Sequence, residues 1–163
     1  MSENILVIKL GSLGGFFLAL GSMQAIKKHH ENAKITLLTR EALVDIAERS
    51  ALFDNIITTD ITGLIDIIEL TRLMRFFNKE KFTRIYDLQN NDITSFFYKL
   101  CFKTPEWAGF IRKSKIASKT TNWKSLHMFK RHKEILKAAG IENVSMPDIS
   151  WMKSNVEHLL KIE

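Results

Sequence analysis

Short runs of apolar and β-branched residues alternate along the chain with longer segments whose apolar residues recur every three or four positions. The first run, residues 4–10, ends at Gly11 and has the nearly continuous hydrophobic character of a strand buried on both faces. Runs of the same kind follow at residues 33–38, 55–58, 81–88 and 106–110, the last of them short. The pattern therefore predicts five strands.

The segments between these runs predict helices. Residues 13–30 place their apolar side chains on one helical face. Asp92 can cap a helix whose buried stripe would consist of Ile93, Phe96, Phe97, Leu100 and Cys101. Further helices are predicted at residues 41–49, 62–79, 125–139, where Gly140 follows as the terminating glycine, and 151–162.

Strand and helix alternate four times, which predicts an α/β, Rossmann-like parallel sheet with helices on both faces. A chain of 163 residues fits one such domain. Ligands of open parallel sheets bind at the carboxyl ends of the strands, where consecutive loops meet. The loops that matter for function are therefore residues 11–15, 39–41, 58–62 and 89–92.

Composition narrows the classes of protein to consider. No run approaches the roughly 20 uncharged apolar residues that span a bilayer, and the first residues lack the basic start of a secretory signal, so we expect the cytoplasm. The single cysteine, Cys101, leaves no internal disulfide and is interpreted as core packing. His127 and His132 stand five residues apart without a supporting carboxylate pair, so we expect no metal site and no resident cofactor.

The positive charge is concentrated in one segment. The chain carries a net charge of +6, and residues 111–140 contain nine Lys and Arg against one acid, Glu134. A local excess of this kind points to an anionic partner such as phosphate groups, an acidic lipid surface or nucleic acid. A solvated helix face with a mobile loop explains the same pattern, and the sequence leaves both interpretations open.

Two short motifs lie at predicted strand ends. Gly11, Gly14 and Gly15 form a turn whose free backbone N–H groups can hold an anion at a helix start. The turn lacks the third glycine of the dinucleotide fingerprint and the lysine of a P-loop, and any tight strand-to-helix turn can use glycine. Residues 87–92 can hydrogen-bond sugar hydroxyls, although turn formation and helix capping explain them equally well.

Several stretches, taken together and in order, resemble a known family. They are residues 5–14, 33–40, 53–57, 86–89, 105–109, 127–141 and 147–151. This series is similar to the lipopolysaccharide heptosyltransferases of glycosyltransferase family nine, and it covers nearly the whole chain. The order of the stretches, more than any single one, makes the resemblance specific.

The resemblance implies a two-domain enzyme of the GT-B type. Its first domain would receive the lipopolysaccharide core, and its second would hold an ADP-sugar. A general base would deprotonate the acceptor hydroxyl, which attacks the sugar with inversion as ADP leaves. On this basis residues 1–140 are the acceptor-side domain, and residues 141–163 are a linker and helix leading to a donor domain that this chain does not include.

One departure from the family pattern concerns catalysis. The family's opening turn normally ends in Leu-Gly-Asp, and that aspartate is the expected base, whereas this chain has Gly15. Asp87 and Asp92 are carboxylates that could approach the same cleft, and neither is assigned the role of the base. We therefore expect no catalytic residue here and no sugar transfer by this polypeptide alone.

The resemblance also assigns partners and contact residues. The expected acceptor contacts are Gly11, Ser12, Gly14, Gln89 and Asn90. The expected contacts with glycolipid phosphates, or with the inner face of the membrane at its periphery, are Lys113, Lys115 and Lys119. A separate donor domain is a further expected partner. The alternatives are a non-enzymatic glycolipid- or anion-binding or regulatory module and a truncated remnant; nucleic acid is disfavoured because the basic segment lacks a recognisable binding motif.

Overall fold

The protein forms a five-stranded, fully parallel sheet. The computed structural model describes residues 3–61, 66–103 and 105–152. The strands are β1 (Asn4–Ile8), β2 (Lys34–Thr39), β3 (Asn55–Thr58), β4 (Arg84–Asp87) and β5 (Glu106–Ala108), arranged in the order β3-β2-β1-β4-β5. The helices are α1 (Leu13–His29), α2 (Val44–Arg49), α3 (Ile67–Lys79), α4 (Asp92–Leu100) and α5 (Met128–Ala138). The predicted fold class is confirmed.

The central position of β1 explains its uninterrupted hydrophobic sequence. Val7 pairs with Leu37 of β2 on one side and with Tyr86 of β4 on the other, so β1 has no free edge. Ile5 and Val7 point into a core that contains residues of α1, α2 and α5, while Leu6 and Ile8 point into a second core with α3 and α4. Helices therefore cover both faces, as the alternation of elements predicts.

The helix boundaries differ from the sequence predictions in ways that hydrogen bonds explain. Helix α3 begins at Ile67 because the Asp66 carboxylate caps it by accepting from the N–H of Glu69; the predicted start at residues 62–65 lies outside the described residues. The prediction that Asp92 caps α4 is wrong. Asn91 is the cap, and its side chain and that of Thr94 bond each other's backbone N–H groups.

The C-terminal part of the chain also differs in detail. Helix α5 begins at Met128, and residues 123–125 form a separate short 3-10 turn. Strand β5 ends at Ala108, because the N–H of Phe110 is bonded to the Asn90 side chain and not to a neighbouring strand. Most of the predicted helix at residues 151–162 lies outside the described residues, and the assignment of residues 141–163 to a linker stays a prediction.

Two further features complete the fold. A Cβ atom at Gly21 of α1 would lie 2.4 Å from the backbone oxygen of Ser145, so this glycine allows the segment after α5 to pack directly on α1. Cys101 follows α4, is half-buried, and packs on the core beneath α3 and α4. Within the described ranges, no helix is both long and apolar enough to cross a bilayer.

Candidate functional site

The first strand leads into a turn that leaves backbone donors unused. Ser12 caps α1 by accepting the N–H of Gly15 at 3.4 Å. The N–H groups of Leu13 and Gly14 have no acceptor among the residues that the structure describes. A Cβ atom at Gly14 would meet nothing within 4 Å, so the backbone here is open to an approaching molecule. No acidic side chain stands in the first turn of α1 to neutralise its positive end.

The tip of β4 meets this turn through Gln89. The side-chain oxygen of Gln89 accepts the backbone N–H of Leu10 at 3.2 Å and lies 3.2 Å from where a Cβ atom of Gly11 would be. The loops at residues 11–15 and 89–92 therefore lie side by side, because parallel neighbours β1 and β4 end at the same edge of the sheet; the region between these two loops is called the cleft below. Any side chain at position 11 would press on Gln89.

Lys9 forms the floor of this cleft. Its side chain is 1% exposed, and its ammonium donates to the side-chain oxygen of Gln89 at 3.3 Å. Within the described part of the chain no carboxylate lies within 4 Å of it. Burial lowers the pKa of Lys9 to about 8, partly opposed by the charge of Asp87 and reinforced by Arg131. An ammonium without a close counter-ion therefore lies beneath the turn.

Asp87 stabilises the loop that follows β4. The carboxylate is completely buried and accepts the backbone N–H groups of Gln89 at 3.1 Å and Asn90 at 2.8 Å. Burial raises the pKa of Asp87 to about 6, although both of these hydrogen bonds favour the ionised form. A carboxylate enclosed in this way cannot reach an acceptor hydroxyl. Asp92 is exposed, in the first turn of α4.

Asn90 joins the tips of β4 and β5. Its backbone adopts a φ of 49°, and its amide nitrogen donates to the carbonyl of Asp87. Its side-chain oxygen accepts the N–H of Phe110 at 3.2 Å. Both ends of this side chain are therefore engaged within the protein. A ligand can share the side-chain oxygen through its second lone pair, and the predicted acceptor contact at Asn90 stays a prediction.

The tip of β2 closes the other side of the cleft. The hydroxyl of Thr39 is buried and donates to the carbonyl of Lys9 at 2.7 Å. The Arg40 guanidinium donates to the carbonyl of Leu10 at 2.9 Å and to that of Ile61 at 3.3 Å. These bonds fix the backbone of residues 9–10 from below, so the glycine turn that follows starts from a rigid support.

His132 of α5 packs under the same cleft. Its ring is 1% exposed, and Nε2 lies 3.0 Å from the carbonyl of Leu88, to which it donates when that nitrogen carries the proton. Burial lowers the pKa of His132 to about 4, and the nearby Lys9 charge lowers it further. The ring is therefore neutral near pH 7. The sequence assigns no role to His132, because the docking of α5 on β4 is not visible in it.

The three predicted lysines lie on the far side of β5. Lys113, Lys115 and Lys119 are all exposed, and none forms an ion pair among the described residues. The structure separates them: Lys115 and Lys119 line one cleft, which Lys113 does not. Their predicted contact with phosphates or a membrane face stays a prediction.

Replacing Gly15 by Asp tests the description of Lys9. A Cβ atom at Gly15 would lie 3.5 Å from the Lys9 ammonium, so the new carboxylate can pair with it. An opposite charge this close favours the protonated amine, and we expect the pKa of Lys9 to rise from about 8 toward its usual value. Side-chain NMR titration of the lysines measures this pKa. Gly14→Asp is the matched control, since position 14 faces open space; an equal rise in both variants contradicts the geometry.

The chain matches known proteins in its fold and not in its sequence. No protein-family model and no curated protein sequence matches the chain. Among solved structures, the glycosyl transferase family 9 protein from Veillonella parvula matches with a TM-score of 0.72 and 22% identity, over 89% of this chain and 44% of that one. E. coli heptosyltransferase WaaC matches with a TM-score of 0.63 and 12% identity in a structure with ADP-2-deoxy-2-fluoro heptose, over 89% and 50% of the two chains.

A second structure of WaaC, with ADP, gives a TM-score of 0.60 at 13% identity and again covers 89% of this chain. The chain thus spans about half the length of the glycosyltransferases it matches. At these identities the likeness concerns the fold. In its fold, the chain is similar to about half of the glycosyl transferase family 9 protein and of heptosyltransferase WaaC.

Proposed function

We propose that this chain is the acceptor-side domain of a heptosyltransferase-like glycosyltransferase. It binds a sugar of a glycolipid acceptor, of the lipopolysaccharide core type, at the carboxyl edge of the sheet. The observation that supports this most is the meeting of the glycine turn with Gln89 above the buried ammonium of Lys9. Free N–H groups, an amide and an open backbone suit the hydroxyls of a sugar.

The chemistry of transfer requires groups that this cleft does not provide. An inverting transfer moves the proton of the acceptor hydroxyl to a base, forms the new C–O bond and breaks the bond from the sugar carbon to the departing diphosphate oxygen. Gly15 cannot take a proton, and Asp87 is enclosed. We therefore propose that this domain positions the acceptor, and that transfer needs a donor domain carrying the ADP-sugar together with a base supplied from outside this cleft.

The proposed location follows from the acceptor. A glycolipid is presented at a membrane surface, and the exposed lysines Lys113, Lys115 and Lys119 can meet its phosphates or acidic lipids nearby. We propose a cytoplasmic protein that contacts the inner membrane face peripherally. Electrostatic contacts of this kind weaken as salt is added, because exposed charges are screened within about 8–10 Å.

Replacing Gln89 by Ala tests the acceptor site. The substitution removes the amide that joins the two loops, so we expect the dissociation constant for a lipopolysaccharide inner-core oligosaccharide to rise by about tenfold, the value of one good hydrogen bond. Isothermal titration calorimetry measures it. Gln24→Ala is the matched control, since Gln24 lies on α1 and bonds the backbone of Asp148. Equal affinities for all three proteins contradict the proposal.

A second candidate function is a binding or regulatory module that retains the acceptor site without transferring sugar. The glycine at position 15 supports it, because the expected base is missing there. Gly15→Asp, supplied with the donor domain of a family enzyme and an ADP-sugar, separates the two candidates. Recovered transfer supports an enzyme that has lost its base. Binding without transfer supports the module, with Gly15→Asn as the control for added bulk.

A further inference from the structure

A cleft of about 370 Å³ opens beyond β5, on the side away from β1. The chain folds back after Phe110, and the residues that give the cleft its chemistry are Phe110, Arg112, Lys115, Ser118, Lys119 and Trp123. Three of the six are cations. Within the described residues, none of the three has a carboxylate within 4 Å.

The cleft is built on the sheet and is not a loose surface loop. The N–H of Ser118 donates to the carbonyl of Gly109 at 2.9 Å, and the hydroxyl of Ser114 accepts the N–H of Trp107 at 3.2 Å. The segment therefore continues the hydrogen bonding of β5 along its outer edge. The backbone that carries the flanking cations is therefore anchored to the sheet.

One wall of the cleft is aromatic and rigid. The rings of Phe110 and Trp123 are stacked, with centroids 4.5 Å apart and planes 4° from parallel. The guanidinium of Arg131 and the ammonium of Lys124 each lie 5.7 Å from the Trp123 ring centroid. Stacking and cation–π contacts together fix the indole, which offers an apolar surface beside the cations.

Two hydroxyls near the cleft are already engaged within the protein. The Ser118 side chain is 7% exposed and bonds the hydroxyl of Thr120 at 3.2 Å. Thr120 in turn donates to the carboxylate of Glu134 at 2.9 Å, the one acid in this basic segment. Glu134 is therefore occupied by a hydroxyl and does not neutralise the lysines. Three cations beside a flat apolar wall suit a phosphate attached to a sugar ring.

The cleft adjoins the proposed acceptor site. Phe110 begins the cleft, and its N–H is bonded to the side chain of Asn90 at the tip of β4. A ligand bound at the strand tips can therefore extend one substituent past β5. Lys113, although it lies between Arg112 and Lys115 in sequence, is not part of the lining.

We propose that this cleft binds the phosphate group of a phosphorylated sugar, with Arg112, Lys115 and Lys119 holding the phosphate and Trp123 contacting the ring. The link to the acceptor rests on the proposed function, whereas phosphate binding rests on the cleft itself. The same phosphate chemistry also occurs in lipid headgroups. The structure favours a sugar phosphate because an aromatic wall suits a ring better than a flexible glycerol.

The test is a titration of the full chain with glucose 1-phosphate, in which the NMR signal of the Trp123 indole N–H reports binding. Unphosphorylated glucose is the ligand control. We expect saturable binding, and we expect Lys115→Ala with Lys119→Ala to weaken it by about tenfold or more, since one charge-assisted hydrogen bond to a phosphate is worth about that factor. The matched control is Lys130→Ala with Lys137→Ala, two exposed lysines of α5 outside the cleft; it removes the same charge and should change the dissociation constant by less than about twofold.

Other outcomes overturn the proposal. Equal weakening in the two double variants means that diffuse charge, not the cleft, attracts the phosphate. If glucose 1-phosphate does not bind at millimolar concentration, the cleft is not a sugar-phosphate site. If Lys115 and Lys119 are needed only for binding to phosphatidylglycerol vesicles, the ligand is a lipid headgroup. Titration of each variant with a neutral oligosaccharide of the acceptor reports separately on the strand-tip site, so loss of one function is distinguishable from loss of the other.

Discussion

Replacing Asp87 by Asn is expected to raise the free energy of unfolding near neutral pH. The wild-type carboxylate is fully buried, and its pKa is raised to about 6 from an ordinary value of 3.8. An acid whose pKa is raised by folding stabilises the protein below the unfolded pKa, and this contribution is lost as the pH rises through the folded pKa. The amide keeps an oxygen for the N–H groups of Gln89 and Asn90 and never ionises.

The size of the effect follows from the displacement of the pKa. Each pKa unit corresponds to about 1.4 kcal/mol, so the wild-type protein gives up about 2–3 kcal/mol between pH 4 and pH 7 through this one group. Urea unfolding of both proteins across that range measures it. The difference between them should be near constant below about pH 4 and should grow in favour of Asn as the pH rises. A difference that stays flat over the whole range contradicts a buried, destabilised carboxylate.

Replacing His132 by Gln is expected to act in the opposite direction over the same pH range. The pKa of the buried ring is lowered to about 4 from an ordinary value of 6.5. Unfolding then takes up a proton between these two values, so the wild-type protein is most stable above the unfolded pKa and loses stability as the pH falls toward 4. Glutamine can still donate to the carbonyl of Leu88, but it does not titrate.

The expected loss in the wild-type protein amounts to about 3 kcal/mol through His132 as the pH falls from neutral to about 4. The Gln variant should lack this loss, so its stability relative to the wild type should improve steadily on acidification. His30 also has a lowered pKa, and those of Asp54 and Glu69 are lowered too, so only the difference from the wild type isolates His132. If the two proteins lose stability in parallel, the ring is not held neutral by burial.

These two groups share one physical setting. Asp87, His132 and Lys9 are all buried beneath the strand tips, and burial disfavours the charged form of each. Because the contributions of Asp87 and His132 have opposite signs between about pH 4 and pH 6.5, they largely cancel in the wild-type protein. Burying three ionisable groups in one place lowers the stability of the folded protein. Proteins tolerate such a loss most often at functional sites.

The sheet was predictable because its strands are buried on both faces. Nearly continuous apolar runs, such as residues 4–10, stand out from helical segments whose apolar residues have a three- to four-residue period. Helix starts were less predictable. Asn91 and Asp92 are both good caps by residue type, and the choice of Asn91 depends on the return bond from Thr94, which only the folded geometry shows.

The site was predictable only in part. The order of the strands brings Gly11 and Gln89 together, and the sequence suggests that meeting through the general rule for parallel sheets. Lys9 is not among the predicted site residues, although a lone charge at the end of a buried strand is a signal that could have singled it out. Its burial depends on Gln89 and Met128, about 80 and 119 residues further along the chain, which no local pattern reveals.

The function of the basic segment was also predictable only in part. Charge counting marks residues 111–140 as a candidate region for anions, and most of its Lys and Arg side chains are exposed, as they also would be on a solvated face. The separation of Lys113 from Lys115 and Lys119 depends on how the chain folds back after Phe110. The stacked pair of Phe110 and Trp123 joins residues 13 positions apart, in a region without regular periodicity. Composition therefore suggests the sign of the proposed ligand, whereas the choice of side chains in the proposal depends on the folded structure.

The glycines of the chain allow the most direct test of acceptor binding at the strand tips. Their backbone N–H signals are resolved in a nitrogen-15 NMR spectrum, and they lie at the cleft (Gly11, Gly14, Gly15) and far from it (Gly21, Gly140). Titration with a lipopolysaccharide inner-core oligosaccharide should shift the first three signals saturably and leave the other two unchanged. Shifts confined to Gly21 and Gly140, or no shift at millimolar ligand, would contradict acceptor binding at this cleft.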